Sequence, residues 1–330
     1  MRRSNVVVVV AFLTIFSTIG PQSNAQEKPT NTTALTSTSA AQDQERYAGV
    51  VEQILSAWKT ADVVCLGEAH DRYYDNELRI ALIRHPAFSR TVRAIVVEMA
   101  NPVRQDLLDR FILDGATLSR EEIAPIWRDA TNPEVWESPI YEQFLRAVRD
   151  VNLRLPREQR VRVIGGDSKV DWSKIKQPED LLPLMNRGGN IREIIATQVL
   201  EPHLKALAIY GSGHCIKVGR GFPGDLAGRY PKQRFWSISP VISLEKITKQ
   251  REPGKEPVYI VLGGSQWAAT PTELSGRNFT WGQLYDAIVY HGDVPDKIVG
   301  PDMDAFKASM GMELDRRAKL VADASKLRGY

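Results

Sequence analysis

Acids and imidazoles stand where several short apolar runs of this 330-residue chain end. The run VVCLG is followed by Glu68 and His70, and AIVV ends in Glu98. VRVIGG ends in Asp167, ALAIYGSG in His214 and DAIVY in His291. Glu68 and His70 are two apart, so an extended backbone projects both from one face. Gly67 precedes them, and glycine allows a sharp turn or a close approach to a ligand. Gly211-Ser212-Gly213-His214 repeats the G-x-x-H spacing of Gly67 to His70, with Gly211 and Gly213 in the supporting positions. Each tetrapeptide alone is a weak motif; the pair together with Glu98 and Asp167 is more specific.

Carboxylates and imidazoles meeting in one cleft allow three kinds of chemistry. A carboxylate raised by burial, or a histidine oriented by one, takes a proton from water and starts ester or amide hydrolysis. The same donors at Glu68, His70 and His214 could hold a divalent metal such as Mn, Co or Zn. They could also bind a ligand without reaction, or cap neighbouring helices. Arg79 could reach back to a carboxylate or an oxyanion, although a solvated helix face is the other fate for it and for Arg72. Tyr73 and Tyr74 could ligate haem iron or simply pack. His291 is a supporting candidate of the same site, or else part of a turn with Gly292-Asp293, and His85 and His203 read as structural or exposed. Cys65 lies inside a strand run and Cys215 directly after His214. Two unpaired buried thiols are expected rather than a disulfide, with Cys215 inert and not a nucleophile.

The elements that must position these residues alternate in type. Strands are expected at 63–67, 94–98, 161–165, 206–210, 235–239, 258–262 and 286–290, and runs that are apolar throughout rather than alternating suit strands covered on both faces. Helical spacing marks 47–59, 76–85, 104–114, 139–152, 191–204 and 304–327. The order gives an α/β fold, a mainly parallel central sheet flanked by helices. Residues 101–160 form a helical insert of two or three helices over the carboxyl end of the sheet. Ligand sites of such sheets form there.

Composition bounds the rest. Arg2 and Arg3 precede an apolar stretch at 6–19, and Ser23-Asn24-Ala25 supplies small residues for cleavage, so 1–25 reads as a Sec-type signal peptide of a periplasmic or secreted protein, without a lipoprotein cysteine. Cleavage removes two of the positive charges behind the formal net charge of +3, which leaves no support for a nucleic-acid partner. No transmembrane span is expected after cleavage. Residues 26–45 are rich in Ser and Thr and read as a flexible linker, 46–297 as the α/β domain and 298–330 as a C-terminal helix packed on it. Gly263-Gly264-Ser265 lacks the spacing of a nucleotide loop. A small-molecule or peptide substrate is the expected partner.

With these residues assembled, the chain resembles the superfamily of the erythromycin esterases, the ChaN-like haem-uptake proteins and the Tiki/TraB proteases, closest overall to the ChaN-like branch. VVCLGEAHD is similar to the opening L-G-E-x-H motif, IVVEMA to the second-strand acid, VIGGD to the esterases' G-x-D exit, YGSGH to the later glycine-histidine motif and DAIVYHG to the closing strand. QDLLDRFILDG and the IWRDATNPEVWESPIYEQFLRAVRDVN that follows resemble the ChaN-like insert. The esterase branch implies that Glu68, His70, Glu98 and His214 activate water and polarise substrate, with Arg79 assisting and Asp167 supporting. The ChaN-like branch implies haem or iron binding without catalysis. The Tiki branch implies a metal and two G-x-x-H motifs. This chain reads His70-Asp71-Arg72-Tyr73-Tyr74 where ChaN-like proteins continue H-D-N-P.

Overall fold

A computed structural model describes residues 45–241, 254–274 and 277–328. The expected signal peptide, and the linker up to residue 44, lie outside the described residues.

The seven expected strands form one sheet. They are β1 (Val63–Glu68), β2 (Ala94–Val97), β3 (Arg162–Gly165), β4 (Ala206–Gly211), β5 (Phe235–Val241), β6 (Val258–Val261) and, after the two-stranded hairpin of β7 (Pro271–Leu274) and β8 (Arg277–Thr280), β9 (Ala287–Tyr290). Their order is β3-β2-β4-β1-β5-β9-β6, with every neighbouring pair parallel except β6 against β9. Alternate residues feed two cores. Val64, Leu66, Ile95, Val97, Leu207 and Ile209 join one cluster, and Val63, Cys65, Ala94, Val96, Ala206 and Ala208 the other. β1, β2 and β4 therefore contain no polar position until they end, whereas β3 opens on Arg162 and β5 carries Ser237 and Ser239: a sheet covered on both faces favours apolar side chains at both phases of the pleat.

From β1 the chain crosses past β4's place to β2 and β3, returns to fill the gap with β4, and then passes to β5 on the other side of β1. The winding direction reverses between β4 and β1. In open parallel sheets that reversal leaves a crevice at the carboxyl ends.

The insert between β2 and β3 is more broken than its sequence pattern suggested, with helices at Gln105–Ile112, Arg120–Ile123, Pro125–Arg128, Pro133–Trp136 and Pro139–Leu153. Proline opens three of them, where its missing N–H costs nothing but the preceding helix cannot continue through it. Buried Glu137 accepts from Trp127 Nε1 at 2.8 Å and pairs with Arg128 and Arg120, which ties the short pieces together. The helix expected at 191–204 begins earlier, at Arg187. Asn186 caps it by accepting from the Gly189 amide, and it ends in one π turn, Ala196–Leu200. The C-terminal helix, Met303–Leu327, closes a small third core against Val170, Trp172 and Leu181 through Leu320 and Ala324. Among the described residues no helix is long and apolar enough to cross a membrane.

The two cysteines correct the sequence reading. Cys65 and Cys215 are joined in a disulfide, with Cα atoms 5.6 Å apart and both side chains fully buried. After β4 the chain turns through Ser212–His214 and brings Cys215 back onto β1. Cys215 is therefore no thiol at all.

Candidate active site

Parallel pairing of β1 with β4 sets Glu68 beside Gly211, so the two G-x-x-H segments leave the sheet side by side. The Glu68 carboxylate is buried, 4% exposed, and His70 Nδ1 lies 2.8 Å from its Oε1. Arg79, also buried, donates to Oε2, and the Tyr141 hydroxyl lies 3.3 Å from Oε1. Arg79 thus lies on no solvated face; it neutralises Glu68. His70 itself is 38% exposed, its ring set edge to face against Trp136 with centroids 4.8 Å apart. Burial alone would depress this imidazole. The hydrogen bond and charge of Glu68, with the charges of Glu98 and Asp71, outweigh that and raise its pKa above the usual 6.5.

A second carboxylate and imidazole stand one strand away. Glu98, 2% exposed at the end of β2, accepts from the Gly211 amide at 2.6 Å through Oε2. Its Oε1 lies 2.8 Å from Arg187 Nη2 and 3.3 Å from His214 Nε2. Burial would raise this carboxyl, but the His214 bond, the Arg187 charge and the Gly211 amide together pull it down to about 2. Asp167 is fully buried and accepts from the Thr131 amide at 2.5 Å and from its hydroxyl at 3.0 Å, while Arg187 Nε reaches Oδ1 at 3.0 Å.

Gly211 is where the two pairs meet. A Cβ there would lie 3.2 Å from His70 Nε2 and 3.5 Å from Glu98 Oε2. Gly67 lies under the same turn, where a Cβ would come within 2.6 Å of Ser212 Oγ. Gly213 has open space around its Cβ direction and is not required for packing. A cavity of about 10 Å³, lined by Glu68, Arg79, Glu98, Tyr141 and Phe144 among others, lies between the carboxylates, with room for about one water.

His291 does not join them. It leaves β9, separated from β1 by β5, and is 1% exposed. Its Nδ1 lies 2.8 Å from the Tyr47 hydroxyl and its Nε2 2.7 Å from Asp75 Oδ1. Asp75 Oδ2 in turn accepts from the Ala69 amide at 2.9 Å, so His291 acts on the Glu68 to His70 turn only from behind. Arg187, Tyr141, Thr131 and Asp75 were not foreseen from sequence. Tyr141 lies inside the expected helix 139–152, where nothing marks it apart, and Asn186-Arg187-Gly188-Gly189 lies just before the expected helix 191–204.

Residues 54–165 match the family described as haem-binding uptake, Tiki superfamily, ChaN. The superfamily resemblance is borne out. No curated protein matches the sequence. Among solved structures the chain is similar to a Bacillus cereus protein, at 13% identity over 79% of this chain and 99% of that one with a TM-score of 0.53. It is also similar to an erythromycin esterase mutant in its open conformation, at 11% over 76% and 95% with a TM-score of 0.54. A succinoglycan biosynthesis protein matches at 10% over 79% and 98%, with a TM-score of 0.56. At these identities the likeness is one of fold.

Neither a metal nor a haem fits the residues proposed for it. Among the described residues no three His, Cys, Asp or Glu side chains are grouped to hold a metal ion. Glu68, His70 and His214 fail as a set because Glu68 is engaged by Arg79 and His214 leans on Glu98 instead. Tyr73 carries the Lys297 ammonium 3.6 Å from its ring centre, and Tyr74 packs between Arg46 and His291. These tyrosines are engaged in packing, and the cavity between the carboxylates is far smaller than a macrocycle.

Proposed function

We propose that this chain is a hydrolase that activates water against an ester or amide of a small molecule or peptide, with imidazoles as the proton carriers and buried carboxylates as their orienting groups. The observation that carries this reading is the 2.8 Å contact between buried Glu68 and half-exposed His70, facing Glu98 and His214 across Gly211. In the neutral ring Nδ1–H donates to Glu68, so Nε2 holds the lone pair that takes a proton from water. The oxygen left behind attacks the carbonyl carbon, and the tetrahedral intermediate then breaks the C–O or C–N bond. The proton that His70 took from water returns to the leaving group from Nε2. Glu98, held anionic, keeps His214 aligned rather than transferring protons itself.

Export, as the N-terminal segment suggests, is supported by the Cys65–Cys215 disulfide, since such bonds persist in oxidising compartments. The test is hydrolysis of an ester and peptide panel by the purified protein, with His70→Ala and Glu68→Ala abolishing it. Equal activity in wild type and both variants sinks the reading. The family match over 54–165 favours a second reading, a haem-binding uptake protein without catalysis. Haem titration that produces a Soret shift, in a protein inactive on the panel, selects it.

A further inference from the structure

Arg187 is the cation that joins the two deepest carboxylates of the cleft. It opens the helix Arg187–Ile195, and its side chain reaches Asp167 at the exit of β3 through Nε and Glu98 at the exit of β2 through Nη2. Both partners are essentially inaccessible, at 0% and 2% exposure, while the Arg187 side chain as a whole is 27% exposed. Glu98 therefore has one oxygen fixed by the Gly211 amide and the other shared between Arg187 and His214. A planar guanidinium presents its donors in a rigid fork and so can reach two carboxylates from different nitrogens. Nη2 is buried and, although 2.8 Å from Oε1, is not aligned for a hydrogen bond, so this contact is a charge pairing that leaves the oxygen's lone pairs open to the His214 ring.

We infer that Arg187 is a positioning residue: it clamps Glu98 against the Gly211 amide and so fixes the direction from which His214 enters the cleft. Its part in hydrolysis rests on the reading proposed above, whereas the clamp itself does not. Asp167, which touches neither imidazole, has its purpose in holding the other end of the clamp. Thr131, from the insert, completes that anchor with two bonds to Asp167.

The experiment compares wild type, Arg187→Gln and Arg187→Lys in two measurements. In hydrogen exchange resolved to single amides, Arg187→Gln is expected to lower protection of the Gly211 amide at least tenfold, with Ile209 and Tyr210 in the same strand unchanged. Unchanged Gly211 protection in the folded variant overturns the clamp. In steady-state kinetics on the best ester of the panel, Arg187→Gln is expected to lower kcat about thirtyfold with KM within twofold, and Arg187→Lys to recover part of the loss. A loosened Gly211 with wild-type kcat overturns the part in the reaction. If wild type hydrolyses nothing, the hydrolase reading fails and the exchange measurement still decides the clamp. Should Arg187→Gln not fold, the near-isosteric Asp167→Asn removes the anchor instead, and the same local loss at Gly211 is expected; its absence overturns the inference.

Discussion

Glu98 accepts the Gly211 amide at 2.6 Å, so the acid that ends β2 is fastened to the backbone leaving β4, the strand whose next turn carries His214. A buried carboxylate held down to about 2 is also a stability statement. Its folded value lies below the unfolded one, so the stabilisation is present above about pH 4.5 and is lost as pH falls toward 2. From the size of the shift it is worth about 3 kcal/mol at neutral pH. Glu98→Gln should therefore lose about that much stability at pH 7, and the gap to wild type should narrow below pH 4. Urea denaturation of both proteins across that range checks it.

His70 carries the opposite sign. Burial lowers its pKa, but the bond and charge of Glu68 and the charges of Glu98 and Asp71 raise it more. The stability it contributes is full below the unfolded value near 6.5 and disappears as pH rises through the folded one. A base must be neutral, so kcat/KM should climb through a pKa above 6.5. Glu68→Gln should move that limb to lower pH, and His70→Ala should cost about 10²- to 10⁴-fold in rate. The pH profile of the three proteins measures all of this.

The strands were legible because each is a short, largely apolar run, and β1, β2 and β4 are apolar at both pleat phases up to Glu68, Glu98 and the Gly211 turn. Glu68, His70, Glu98, Asp167 and His214 could be picked out on that ground, since every one is a strand exit. Which exits meet was not legible, because strand order is set by long crossovers. β3, β2, β4 and β1 are contiguous, whereas β9 lies beyond β5, and so His291 closes on Asp75 instead. Arg187 escaped because two glycines in a helix's first turn look like a loop until Asn186 is seen capping them. The disulfide escaped for a related reason. Nothing local in Gly213-His214-Cys215 tells that the turn folds back over β1.

That disulfide closes a loop with a sequence separation of 150 between the strand bearing Glu68 and the turn bearing His214. Chain entropy alone assigns such a cross-link about 5 kcal/mol, and removing a native disulfide typically costs about 2–5 kcal/mol. The Cys65→Ala/Cys215→Ala double variant should lose stability in that range. Both sulfurs are buried, so the native protein should resist a mild reductant and become reducible only with denaturant. Thiol labelling counted by intact mass, with and without urea, tests both statements.

Gly67 is required by space rather than by conformation. A Cβ there would lie 2.6 Å from Ser212 Oγ, 3.0 Å from Ser212 Cα and 3.1 Å from the Ile238 carbonyl oxygen. The hydroxyl can swing away; the two backbone atoms cannot. Gly67→Ala should cost about 1–3 kcal/mol, as overpacking generally does. It should also push the His214 turn away from Glu68, because Ser212 Oγ donates to the Glu68 carbonyl at 3.2 Å. Thermal unfolding of Gly67→Ala beside Gly213→Ala, whose Cβ meets open space, separates this local crowding from a general effect of losing a glycine.

Asp71 adopts a positive φ of 62°, and its Oδ1 is buried without a hydrogen-bond partner. Burial, aided by the charge of Glu68 and opposed by His70 and Ser138, pushes its carboxyl up to about 6. The folded value lies above the unfolded one, so the favourable contribution is complete below about pH 3.8 and is lost as pH rises through 6. At neutral pH wild type therefore holds an ionised carboxylate in a place that disfavours it. Asn tolerates the left-handed backbone as well as Asp does and carries no charge. Asp71→Asn should gain stability relative to wild type as pH rises from 4 to 8, by about 1–2 kcal/mol once partial exposure is allowed for. Removing that negative charge should also lower the His70 pKa, so the acid limb of kcat/KM should shift down in the same variant. A variant whose stability difference stays flat across that range would show that Asp71 ionises without penalty.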